Sequence, residues 1–299
     1  MKKLIIILGP TASGKTDLAV KIAQRLDTEI VSADSRQIYK EMTIGTAVPD
    51  AETLRKVKHH LIQTHSVTEY YNVYKYEQEA IGILKDDIFR RKDVAVMCGG
   101  SMLYIDAVCN GIDYAPDRDE ALRMALWQQY ESDGLEPLKV LLKQLDPKYY
   151  EECDLKNHTR VIKALEVCIQ TGKPYSSFRT GTKKTRDFQI VKIGINLPRE
   201  ILHERINRRV DSMMDDGLAN EAEKLMRYRG TTPLNTVGYK ELFDYFDGKT
   251  DIDTAVELIK RNTRRYAKKQ ITWFSKTIGN KWYNPTEDED EILQLLTEA

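Results

Sequence analysis

Gly9-Pro10-Thr11-Ala12-Ser13-Gly14-Lys15-Thr16 has the G-x-x-x-x-G-K-T spacing of a loop that grips phosphate. Glycines at its two ends let successive backbone N–H groups turn inward around an oxyanion at a helix N-terminus. Lys15 supplies a cation for the terminal phosphate, and Thr16 offers a hydroxyl to a magnesium ion. Asp34 ends the next apolar run, where a carboxylate serves either as a catalyst or as a helix N-cap, and spacing alone leaves both open. A third run ends Cys98-Gly99-Gly100-Ser101, with no acid where many nucleotide hydrolases hold their metal. Its two glycines permit close backbone approach, and Ser101 adds a hydroxyl. Arg205, Arg208 and Arg209 fall at helical spacing, as a phosphate clamp or as a solvated face paired with Glu204 or Asp211. Arg261, Arg264, Arg265, Lys268 and Lys269 surround Tyr266, a mixture suited to a nucleic-acid backbone and unstacked bases. Trp273 and Phe274, just beyond, are assigned to the core. Arg160 and Lys163 near His158 are either phosphate contacts or helix surface.

Short β-branched runs at Leu4–Leu8, Glu29–Ser32, Val94–Met97 and Gln189–Asn196 alternate with helical stretches, which predicts α/β architecture with a buried parallel sheet. The strand before the phosphate loop and the amphipathic Thr16–Ala23 after it are the context that loop requires. In such a sheet the carboxyl ends of neighbouring strands face one crevice, which would bring Asp34 beside the bound phosphate. Between Gly111 and Arg186 long amphipathic segments replace the strands, predicting a helical insertion that returns through a mobile loop over Gly172–Arg186. From Pro198 onward the pattern is helical, with an acidic run over Thr286–Glu291 near the end.

Lys plus Arg and Asp plus Glu both number 46 in 299 residues, so any nucleic-acid binding must use local patches. Cys98, Cys109, Cys153 and Cys168 lack metal-site spacing and fit a reducing compartment. The apolar start is too short for a signal peptide, and no stretch reaches membrane-spanning length, so a cytoplasmic protein is expected.

Gly9–Thr16, then Ala33-Asp34-Ser35-Arg36-Gln37-Ile38-Tyr39-Lys40 running to Ile44-Gly45-Thr46-Ala47, then Gly99–Tyr104, Val237-Gly238-Tyr239 and Lys268–Phe274 follow one another in order. This set resembles the tRNA dimethylallyltransferases over nearly the whole chain, and the Asp34–Ala47 block is more diagnostic than the phosphate loop. The resemblance implies a P-loop NTPase-like core over 1–111 and 187–299, with a helical tRNA-binding insertion over 112–186. It further implies that Gly9, Pro10, Thr11, Ala12, Ser13, Gly14, Lys15 and Thr16 hold the diphosphate of dimethylallyl diphosphate, with Mg2+ on Thr16 and Arg209 aimed at the same group. Asp34 then matches the base that takes a proton from the exocyclic amine of an adenosine next to the anticodon. Lys15, Thr16, Arg209 and Ser101 complete the implied catalytic set. Contacts to tRNA are implied for Asp34, Ser35, Arg36, Gln37, Ser101, Arg123, Thr159, Arg160, Val161, Ile162 and Lys163. Ser101 replaces the threonine of many members and keeps the hydroxyl, whereas Lys240 replaces an arginine and loses bidentate geometry. The missing zinc-finger extension fits a bacterial or organelle type, expected as a monomer. The rival readings are a small-molecule P-loop kinase, an adenylate isopentenyltransferase and a non-catalytic RNA-binding protein.

Overall fold

The computed structural model describes residues 1–114, 116–278 and 281–298. Five parallel strands form one sheet in the order β3-β2-β4-β1-β5: β1 (Lys3–Leu8), β2 (Ile30–Ser32), β3 (His59–His60), β4 (Val94–Gly99) and β5 (Gln189–Gly194). In β1 every residue after Lys3 is buried, and successive side chains alternate between two cores. Leu4, Ile6 and Leu8 enter one cluster and Ile5 and Ile7 the other, so both faces are covered and the strand reads as a continuous apolar run. The sequence patterning missed β3, whose two histidines pair with Ile30 and Val31 and carry no apolar signal.

β1 leads to β2 across β4, and β4 leads back to β5 across β1. These opposed connections leave a crevice at the carboxyl ends of β1 and β4, the usual ligand position in an open α/β sheet. Around it lie the phosphate-loop helix Lys15–Arg25, the arginine helix Arg199–Asp215, the short helices Leu218–Leu225 and Tyr239–Phe246, and the long helix Ile252–Ile278. Leu18, Ala19, Val20, Ile22 and Ala23 bury the inner face of the first of these.

The chain divides into two compact units, Met1–Cys109 with Arg186–Ala299, and Asn110–Thr185. Helices Glu120–Asp133, Glu136–Leu145, Pro147–Glu152 and His158–Thr171 build the second unit. Their core is Leu126, Leu138, Leu142, Tyr149, Val161, Ile162, Ala164 and Leu165. Asp119, Asp146 and Asn157 cap the helices by accepting the N–H of Leu122, Tyr149 and Arg160. The stretch expected as a plain loop over Gly172–Arg186 contains a short helix, Tyr175–Phe178. No helix among the described residues is long and apolar enough to cross a membrane.

Candidate active site

The loop between β1 and its helix turns through two left-handed residues, Ala12 at φ 63° and Gly14 at φ 89°. Gly9 is obligatory, because a Cβ there would collide with the Ile195 carbonyl of the neighbouring strand end. Inside the loop, the Ser13 hydroxyl is buried without a hydrogen-bond partner, and Lys15 Nζ donates to the Pro10 carbonyl at 2.9 Å. An orphan hydroxyl and a cation satisfied only by a loop carbonyl fit a cradle built for an oxyanion.

One side chain that sequence reasoning passed over fixes this cradle. Gln270, fully buried on the long helix, accepts the Thr11 N–H at 3.0 Å and donates to the Gly100 carbonyl at 2.8 Å. It ties the phosphate loop to the end of β4, and a Cβ on Gly100 would collide with its amide. Gly99 likewise has no room for a side chain against the Ala33 carbonyl, so the ends of β2 and β4 touch.

Arg205, Arg208 and Arg209 line a cavity of about 500 Å3 together with Ala12, Ser13, Gly14, Lys15, Thr16 and Asp17. Arg208, at the exposed edge, lies 3.6 Å from Glu204. Among the described residues, Arg205, Arg209 and Lys15 have no carboxylate within salt-bridge distance. Arg209 NH1 reaches the Thr11 hydroxyl at 3.4 Å. Burial lowers the pKa of Lys15 and of Arg209, and the neighbouring cation, Arg209 for Lys15 and Arg205 for Arg209, lowers each further, against an opposing pull from Asp34. Of the two readings the sequence left open, a clamp therefore describes Arg205 and Arg209 and a solvated pair describes Arg208.

No helix directly follows Asp34, so it is no N-cap; its side chain holds a turn and faces the site at once. Its Oδ1 accepts the N–H of Arg36 at 2.8 Å and of Gln37 at 3.2 Å, while Ser101 Oγ accepts the Ser35 N–H at 2.8 Å and donates to the Ser35 hydroxyl. Behind the strand, buried Tyr76 donates to the Ser32 carbonyl and stacks on Tyr104 with 3.8 Å between ring centroids. Two cavities meet at Thr11, Asp34, Thr46, Arg209 and Tyr266. The smaller, about 90 Å3, holds Lys15, Thr16, Cys98 and Gln270. The larger, about 190 Å3, is walled by Ser35, Arg36, Gly45, Thr46 and the apolar Ile206, Val210, Val237 and Ile259. Although the Tyr266 side chain is partly exposed, desolvation at its hydroxyl end, reinforced by Asp34, pushes that group up to about 12, so it stays a proton donor at neutral pH. An anion cradle, a carboxylate and a chamber with partly apolar walls thus adjoin one another.

A family model described as IPP transferase matches residues 37–277. The chain belongs to the IPP transferase family. It is 50% identical to tRNA dimethylallyltransferase 1 of Bacteroides thetaiotaomicron over 296 residues, covering 99% of this chain and 96% of that one. It is 49% identical to tRNA dimethylallyltransferase 2 of Parabacteroides distasonis, covering 99% and 98%. Among solved structures it resembles the tRNA isopentenylpyrophosphate transferase of Bacillus halodurans, with a TM-score of 0.71 and 35% identity over 100% of this chain and 96% of that one. A eukaryotic dimethylallyltransferase acting on tRNA aligns over 92% of this chain and 70% of its own, with a TM-score of 0.76 and 25% identity.

The α/β fold expected from the alternation of strand and helix patterns is present, and the family's motifs converge: the phosphate loop, Asp34, Ser35, Arg36, Ser101 and Arg209 gather at the crevice. Gln37 also lines the smaller cavity, and its Nε2 donates to the carbonyls of Thr46 and Ala47. In the helical unit Thr159 and Arg160 are exposed, but Val161 and Ile162 are wholly buried in the core cluster. That corrects the expectation that these two side chains meet tRNA, since they hold the helix that carries their neighbours. Arg123 and Lys163 gather around buried Glu166, with Arg123 also over the Trp127 ring. Burial lowers the Lys163 pKa, partly offset by Glu166. A second correction concerns the long helix: Phe274 is buried as expected, but Trp273 is 43% exposed and donates from its indole N–H to Asp106 at 2.8 Å. Glu29, His60 and Asp87 lie close together, but Arg91 and Lys58 already neutralise the two carboxylates, which leaves this group a structural ion-pair network.

Proposed function

We propose that this protein transfers the dimethylallyl group of dimethylallyl diphosphate to the exocyclic N6 of the adenosine 3′ to the anticodon in tRNA, releasing diphosphate. The observation that carries this reading is the placement of Asp34 between unneutralised cations and a chamber with apolar walls. Loop amides, Lys15, Arg205 and Arg209 take up the negative charge that builds as the allylic C1–O bond breaks and its electron pair leaves on diphosphate. These cations are half-buried and pre-positioned, so little reorganisation is needed at the moment of reaction. Thr16, beside Lys15 and Asp34, is the residue that would hold Mg2+, whose role when bound is to neutralise further diphosphate charge.

N6 attacks C1 as the leaving group departs, and the N6 proton passes to Asp34. Two backbone amides hold one Asp34 oxygen in place, so its carboxylate is a rigid acceptor that orients the amine and removes the proton late. The target base must leave its stack to reach this half-buried carboxylate, as base-modifying enzymes generally require. Exposed Thr159 and Arg160 in the helical unit, with Lys163 and Arg123 beside them, supply the local contacts to the anticodon stem that a neutral chain needs.

The test is incubation of the protein and Mg2+ with radiolabelled dimethylallyl diphosphate, offered in parallel to unmodified tRNA and to free AMP. Label in tRNA alone supports the proposal. Label in AMP makes the protein a free-nucleotide prenyltransferase, and no label, with phosphate transferred from ATP instead, makes it a kinase.

A further inference from the structure

The wall of the larger cavity beside Asp34 contains Gly45 and Thr46, which belong to no helix or strand. Irregular backbone at a site needs something else to hold its shape. Here a single carboxylate does so from outside the cavity. Glu221, half-buried on the helix Leu218–Leu225, accepts the N–H of Thr43 at 2.9 Å and of Ile44 at 2.8 Å on Oε2. On Oε1 it accepts the Gly45 N–H at 2.9 Å and the Tyr239 hydroxyl at 2.7 Å. Three consecutive amides therefore wrap one anion, a backbone nest filled by a side chain. Charge-assisted hydrogen bonds of this kind are about twice as strong as neutral ones.

Tyr239 completes the arrangement. Its fully buried ring lies so close beneath Gly45 that a Cβ there would stand 2.7 Å from it. Burial, strengthened by the Glu221 charge, drives its hydroxyl pKa far up, which keeps the proton available to that carboxylate. On the inner side, the Gln37 amide holds the carbonyls of Thr46 and Ala47. Ala47 itself sits at φ 49°, a left-handed conformation that an alanine adopts only when its surroundings impose it. The loop is thus clamped between Glu221 outside and Gln37 inside, and its position sets the distance from Gly45 and Thr46 to Asp34.

We propose that Glu221 is a positioning residue for the acceptor base: it shapes the chamber wall that holds the adenine against Asp34 and leaves the diphosphate cradle untouched. The inference rests on the prenyl-transfer reading above. The cradle is tied separately through Gln270, and of the three residues whose amides Glu221 holds only Gly45 lines a cavity at Asp34, the larger one and not the chamber around Lys15 and Thr16.

The experiment compares steady-state kinetics of the wild-type protein and Glu221→Gln, varying an anticodon stem-loop RNA and dimethylallyl diphosphate in turn. Gln keeps the size but turns an NH2 toward two N–H or O–H donors that now lack an acceptor. Misplacement of a reacting base by a fraction of an ångström makes the expected loss in kcat/KM for RNA roughly 10- to 100-fold, with KM for the diphosphate within about twofold. Tyr239→Phe removes one of the four hydrogen bonds and should move the same parameter in the same direction by a smaller factor, which keeps the test open if Glu221→Gln does not fold. Parallel increases in both KM values, or wild-type RNA kinetics in both variants, would overturn the proposal. A wild-type protein that labels no RNA would instead sink the prenyl-transfer reading itself.

Discussion

Strand β2 carries a carboxylate near each end, and the two are treated in opposite ways. Glu29, just before the strand, is met by His60 at 2.6 Å, Arg91 at 2.8 Å and Lys58 at 3.2 Å. Every charge in that group has a partner, and the network extends to Asp87. Asp34, just after the strand, accepts only two backbone amides and looks across a cavity at Arg209 and Lys15, which have no carboxylate in salt-bridge range among the described residues. The first end is neutralised by the fold. The second leaves half-buried positive charge without a carboxylate partner, which costs stability and is sustained only where an anion arrives to complete it.

The sharpest way to break this contrast is to remove a cation at the second end. Lys15→Ala and Arg209→Ala should each lower kcat/KM for dimethylallyl diphosphate by about 10³-fold, the scale of losing one charge-stabilising group at a leaving oxyanion. The ligand-free protein should unfold at an unchanged or higher temperature, because a half-buried charge without a carboxylate partner has gone. A marked fall in the melting temperature of Arg209→Ala would mean that this arginine is structural after all. Asp34→Ala comes next, with kcat for prenyl transfer expected to fall by at least about 10²-fold, while the dissociation constant for tRNA in a filter-binding assay stays within about threefold. Affinity and rate falling together would erase the division between phosphate contacts that bind and a carboxylate that reacts.

The contrast also marks what the sequence could and could not reveal. Gly9–Thr16 and Asp34 were legible because strand–loop–helix order and strand-end position are local properties. Which arginine is free is not local. Arg205, Arg208 and Arg209 share one helix, and only packing against the phosphate loop separates the clamp from Arg208, which Glu204 partners at the surface. Gln270 lies 259 residues from Thr11 and carries no charge, so nothing in a basic helical run points to its amide. Trp273 and Phe274 are adjacent apolar residues turned about 100° apart on a helix, and the partner of the indole, Asp106, lies 167 residues away. Val161 and Ile162 sit between exposed Arg160 and half-buried Lys163, so a run of contiguous contacts overlooks a periodicity that sends the middle pair inward. The two-histidine strand β3 is recognisable only from its partners Ile30 and Val31.

Inorganic diphosphate offers a gentler probe of the second end. With Mg2+ present it should raise the melting temperature in a concentration-dependent way, reaching about 2.7 kcal/mol of stabilisation at 100 times its dissociation constant. The same addition should do little for Lys15→Ala, since the site would lack the cation that the ligand completes.

The smallest effect belongs to the neutralised end, and its sign differs. Burial would raise the Glu29 pKa, but hydrogen bonds from Arg91, His60 and Lys58 outweigh it and hold the carboxyl at about 2 in the folded chain, below its ordinary value of 4.5. A carboxylate whose folded pKa is depressed stabilises the protein fully above its unfolded pKa, and that contribution disappears as pH falls from about 4.5 toward 2. Because Lys58 and Arg91 are half open to solvent, the contribution is screened to about 1 kcal/mol. Glu29→Gln should therefore melt earlier than wild type at pH 7 and converge with it near pH 2, while prenyl-transfer kinetics at pH 7 stay within about twofold, since no substrate charge is handled there. Loss of activity in Glu29→Gln without loss of stability would mean that the two ends of β2 are coupled through the strand, and that the neutralised network helps to set the position of Asp34.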